Sequence, residues 1–113
     1  MRKEKVNKEL QNLAYQETGV LSLLQTPIYS GTCRPGVTGY FFKPDAKFDY
    51  SSGFLHFLPA RIIVQHDLSL KEHTQVVAHE LGHAYLYFSR KNYKDELSAE
   101  QFGLELLKKW REI

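Results

Sequence analysis

His79-Glu80-Leu81-Gly82-His83 sets two imidazoles four residues apart with a carboxylate between them. On an α-helix four residues make about one turn, so both rings leave the same face and can grip one zinc ion. An ion held there acidifies water and polarises a carbonyl, which is the chemistry of amide hydrolysis. Glu80, close beside the rings, is placed to take the proton from that water. With about 100° per residue and His79 at zero, Glu80 lies at about 100° and His83 at about 40°. Leu70, Thr74, Val77, Leu81, Ala84 and Phe88 fall between about 140° and 220°, a separate apolar stripe. The bland reading is a pair of solvated surface histidines. Val76 and Tyr87, at about 60° and 80°, argue against it, because the histidine side is apolar too. This helix expects cover on both faces.

A catalytic zinc takes three protein ligands and leaves one position for water. The next helical pattern offers Glu96 and Glu100, one turn apart. Its apolar residues, Ala99, Phe102, Gly103, Leu106, Leu107 and Trp110, define a buried face whose centre lies about 45° from Glu96 and about 85° from Glu100. Glu96 is the better aimed third ligand, with Glu100 as the alternative ligand or as a group steadying a ligand histidine. Without the histidine motif, Glu96 would read as an ordinary first-turn carboxylate helped by the helix dipole. Gly103, on the same face, would let two helices approach closely. The other histidines, His56, His66 and His73, read as structural or exposed. Tyr40, His66 and Tyr93 stay open as stabilisers of an oxyanion. Cys33, in the loop Cys33-Arg34-Pro35-Gly36, could cap the zinc as an inhibitory thiolate, but a small, partly buried residue is the simpler reading.

These groups need elements to position them. Residues 3 to 17 predict a helix with Val6, Leu10 and Leu13 as a narrow apolar stripe, broken at Thr18-Gly19. Val37 to Phe42, closed by Pro44-Asp45, predicts a strand. Phe54 to Leu58 predicts a second, and Arg61-Ile62-Ile63-Val64-Gln65 a third. Short links favour an antiparallel or mixed sheet of about three strands. Ser69-Leu70-Lys71-Glu72 is a capping box, opening the metal helix that should run to about Phe88. A short polar loop, Ser89 to Lys94, leads to a helix from about Asp95 to Trp110, so the two helices should lie antiparallel. The fold class expected is α+β, one domain over residues 1–113: a short sheet on the metal helix, flanked by N- and C-terminal helices.

At 113 residues with 42% hydrophobic residues, the chain can bury one core. A net charge of +2 gives little support for direct nucleic-acid binding. The clustered Lys and Arg residues at both ends are interleaved with Glu4, Glu9 and Glu112, as on solvated helix faces. No apolar run approaches the about 18 residues of a membrane span. Met1 to Asn7 lacks the apolar core of a signal peptide, and the one cysteine forms no internal disulfide, so a reducing cytoplasm is the expected compartment.

Residues 61 to 107 resemble the ImmA/IrrE family of zinc metallopeptidases. The resemblance runs through Arg61 to Ser69 and the core Ala78-His79-Glu80-Leu81-Gly82-His83. It continues in a second signature, E-x-x-A-x-x-F-A-x-x-L-L, followed by Glu96, Ala99, Phe102, Gly103, Leu106 and Leu107. Gly103 departs from the usual alanine, and Lys108-Lys109-Trp110 stands where family members commonly continue L-L-M-P. The resemblance implies a zincin-like domain with one zinc on His79, His83 and Glu96, and Glu80 as the proton carrier. It also implies that strand Arg61 to Gln65 is an edge strand pairing with an extended substrate. The function implied is cleavage of a helix-turn-helix transcriptional repressor in a mobile-element or stress-response system. The alternative is a catalytically silent zinc-binding module that sequesters such a regulator. A DNA-associated protease of the SprT type would need a third histidine downstream of His83, and none follows.

Overall fold

The computed structural model describes residues 2–111; Met1, Glu112 and Ile113, including the Glu112 charge counted above, lie outside the described residues. The described residues form an α+β fold. Helix α1 (Lys3–Thr18) is followed by one turn of helix, α2 (Ser22–Gln25), and strand β1 (Ile28–Gly31). Strands β2 (Gly39–Phe42), β3 (Asp45–Asp49), β4 (Phe54–Leu58) and β5 (Arg61–Gln65) come next. Helices α3 (Leu70–Phe88) and α4 (Glu96–Arg111) complete the chain.

The sheet packed on α3 is mixed, in the order β1-β5-β2. Strand β5 runs parallel to β1, with Ile28 opposite Ile62, and antiparallel to β2, with Gly39 opposite Val64 and Phe41 opposite Ile62. This corrects one expectation. Arg61 to Gln65 is the central strand, with both backbone edges engaged, so it cannot take an extended substrate. Its alternation explains why: Ile62 and Val64 are fully buried under the helices, and a strand so buried sits in the middle of the sheet. The free edges belong to β1 and β2. A second correction concerns Phe54–Leu58, which joins β3 in a separate two-stranded hairpin instead of the main sheet.

That hairpin makes no extended contact with any other element. Its turn is closed by Asp49, whose carboxylate accepts from both Ser51 and Ser52 hydroxyls; these bonds, Ser51 first, hold its pKa at about 2. Phe48, Tyr50, Phe54, Leu55 and Phe57 are all exposed on it.

The core lies between the sheet and the long helices. Val6, Leu10 and Leu13 of α1, with Ala14, meet Val77, Leu81 and Ala84 of α3 and Leu106 and Leu107 of α4. At the start of α3 the Ser69 hydroxyl oxygen accepts from the Glu72 N–H at 3.1 Å, the first half of a capping box. The Glu72 carboxylate accepts from that same hydroxyl at 2.9 Å, instead of closing on the Ser69 backbone. Helix α4 is capped by Asp95, which takes both the N–H and the hydroxyl of Ser98; those bonds, the hydroxyl first, lower its pKa. The cap leaves Glu96 as the first residue of the helix. Among the described residues, no helix is long and apolar enough to cross a membrane.

Candidate metal centre

Two glycines bring α3 and α4 together. A Cβ on Gly82 would stand 2.5 Å from the Ala99 carbonyl oxygen, and one on Gly103 3.1 Å from the Ala78 carbonyl carbon. The two contacts run in opposite senses along the pair, so the helices are antiparallel and nearly backbone to backbone. This approach carries the start of α4 over the His79–His83 face. Strand β2 closes the other side by the same device. A Cβ on Gly39 would run into the Val76 side chain and lie 3.3 Å from Cγ of Glu80.

Four side chains meet in the space so formed. A Glu96 oxygen lies 2.9 Å from Nε2 of His79, and its other oxygen 3.1 Å from Nε2 of His83. The two Nε2 atoms are themselves 3.1 Å apart. On their far sides, Nδ1 of His79 lies 2.8 Å from a Glu100 oxygen and Nδ1 of His83 donates to the Tyr93 carbonyl at 2.5 Å. The Tyr93 carbonyl only accepts, so His83 carries a hydrogen on Nδ1, whereas His79 stands between two carboxylates and can donate from either nitrogen. Two ring nitrogens and a carboxylate that face one another across about 3 Å can share a proton or hold a cation between them. Tetrahedral zinc with bonds of about 2.0–2.1 Å sets its ligands about 3.3 Å apart, so the donors need open by only a few tenths of an ångström. The donor set fits a zinc ion by type and spacing. Ligand atoms of His79, Glu80 and His83 also lie within 4.8 Å of one another.

Glu80 is set back from this convergence. It is 6% exposed and accepts a hydrogen bond from the Phe41 N–H of β2. Burial pushes its carboxyl above the ordinary value, a rise to which Glu96 adds; His83, His79 and the Phe41 N–H pull it back. A carboxylate in such a place holds a proton more readily than one in water.

The site opens on a cleft of about 420 Å³ whose lining includes Gly39, Tyr40, Tyr93, Lys94 and Glu96. Tyr40 and Tyr93 therefore reach the cleft. His66 does not; its backbone N–H and carbonyl pair with Gly31 and Lys3 on the far end of the sheet. Cys33 lies in a different hollow, its N–H donating to Gln65 at 2.7 Å, away from the histidines. His73 is buried, with its Nε2 2.7 Å from the Asn7 side-chain oxygen, and His56 is exposed on the hairpin. The Tyr93 carbonyl behind His83 and the close packing at Gly39 and Gly82 escape a reading of side-chain types. The first is a backbone group, and the others act through an absent Cβ. Gly103 was read in the sequence as allowing a close approach of helices, and it does lie against the Ala78 backbone; Gly82, at the centre of the motif, carried the same signal.

No family model, no curated protein and no solved structure matches this chain.

Proposed function

We propose that this chain is a zinc-dependent endopeptidase of the ImmA/IrrE type, acting in the cytoplasm on a helix-turn-helix transcriptional repressor. The observation that carries the reading is the meeting of two Nε2 atoms and the Glu96 carboxylate within about 3 Å, each ring held by an acceptor behind it. His79, His83 and Glu96 would hold the zinc. When bound, the ion supplies Lewis-acid polarisation of a carbonyl and lowers the pKa of a water. Glu80 takes a proton from the attacking water and delivers it to the leaving amine nitrogen. Its burial and the Phe41 N–H keep the carboxylate aimed at the cleft. The outer edge of β2, which flanks Glu80, is the backbone ladder on which an extended substrate would pair antiparallel, the more stable sense per residue. The repressor itself is an expectation from the resemblance over residues 61 to 107.

The test is incubation of zinc-loaded protein with a helix-turn-helix repressor encoded beside it, read by mass spectrometry of the fragments. Cleavage by the wild type that falls by about 100-fold or more in Glu80→Gln, with zinc retained, is the expected result. A repressor bound but left intact by the wild type would favour the sequestering module instead.

A further inference from the structure

A second cleft, of about 720 Å³, leads away from the metal centre between the two long helices. It starts at His79 and Glu80, beside Thr38 at the head of β2. Val76 of α3 and Leu104 and Leu107 of α4 give it apolar walls, and it ends at Lys108 and Arg111. Cations in a last turn are favoured by the helix dipole whatever they face. Their pairing separates them here. Lys109 is engaged with Glu17 across α1, whereas Lys108 and Arg111 form no ion pair with any described residue and line the cleft. The acids bordering it are occupied at the other end: Glu100 accepts from His79, and Glu80 is buried. Among the described residues, the far end of the cleft is thus a positive pocket on an apolar path from the histidines.

Direction and distance assign its occupant. A substrate antiparallel to β2 enters at Phe42 and leaves past Gly39 and Thr38, so the residues after the scissile bond run into this cleft. From Glu100 it is eight residues of helix to Lys108, about 12 Å, and eleven to Arg111, about 16 Å. An extended peptide covers these spans in three to five residues of about 3.3 Å each. We infer that Lys108 and Arg111 are specificity-determining residues that bind a carboxylate three to five residues beyond the scissile bond. That carboxylate would come from an Asp or Glu side chain or from the substrate's own C-terminus. The inference deepens the proposed peptidase reading and rests on it.

The test uses the zinc-loaded full chain and a family of peptide hydroxamates, in which the hydroxamate seats at the metal and five residues extend beyond it. One probe carries Glu at the third to fifth positions with an amidated end, one Gln and one Lys there with the same end, and one Gln with a free terminal carboxylate. The Glu probe should bind about fivefold more tightly than the amidated Gln probe, as expected for two exposed ion pairs, and the preference should shrink in high salt. Tight binding of the free-acid Gln probe alone would identify the chain terminus as the source. In Lys108→Glu/Arg111→Glu the preference should reverse toward a Lys probe. Equal binding of all probes overturns the carboxylate pocket and leaves the peptidase reading standing. Failure of every hydroxamate to bind overturns both.

Discussion

At the proposed metal centre the two histidines are held differently, and the difference bears on which contacts matter most. His83 is backed by a carbonyl, which never titrates; His79 is backed by the Glu100 carboxylate, which is half exposed. Glu96 contacts both Nε2 atoms, and Glu100 touches only the rear of one ring. Glu96→Ala should therefore cut zinc affinity by well over the about 10–100-fold that loss of an outer partner costs, while Glu100→Ala should fall within that range. Competition titration against a zinc-responsive chelator would rank the two. A larger loss in Glu100→Ala would mean that Glu100, not Glu96, binds the ion. The aim of Glu96 was legible in the sequence, because 100° steps along a regular helix hold whatever its neighbours do. The Tyr93 carbonyl was not, since a loop backbone follows no such period.

The elements that carry these residues depend on missing side chains more than on any single contact. Gly82 of α3 lies against the backbone of Ala99, three residues beyond Glu96. Gly82→Ala would gain about 1 kcal/mol of helix propensity, yet its methyl meets backbone that has nowhere to yield. Thermal unfolding should show a net loss of stability, and zinc affinity should drop with it, because α4 and Glu96 are pushed from the rings. An alanine variant as stable as the wild type, with full zinc affinity, would show that the helices need no such approach. The long elements were readable: α3 has its Ser69 cap and α4 its stripe from Ala99 to Trp110. The short strands were not. Ile28-Tyr29-Ser30-Gly31 has too little alternation to signal a strand, yet it pairs with β5 and thereby makes that strand central. Asp45-Ala46-Lys47-Phe48-Asp49 reads as a polar turn, and only its pairing with Phe54–Leu58 extends it. Sheet order depends on partners far along the chain, and no local pattern records it.

For the molecule as a whole, α1 is tied to the metal helix by a buried polar pair that should make stability depend on pH. Burial, and next the Lys3 charge, lower the His73 pKa below its ordinary 6.5, with Glu4 opposing. The unfolded chain therefore takes up a proton first as pH falls. The contribution is fully present above about 6.5 and is lost below it, down toward the lowered folded value. Urea unfolding in the presence of a chelator, at about pH 7.5 and pH 5.5, should show a smaller acid loss in His73→Gln than in the wild type. Equal losses would remove His73 from the account. The same scaffold keeps the three proposed ligands together, and zinc binding is where the whole reading is most exposed to test. Purified protein, dialysed against buffer and assayed by mass spectrometry for metal, should hold about one zinc per chain at neutral pH. His79→Ala/His83→Ala should hold almost none while keeping its helical circular dichroism. Full zinc occupancy in that double variant would contradict the metal centre and the peptidase reading built on it.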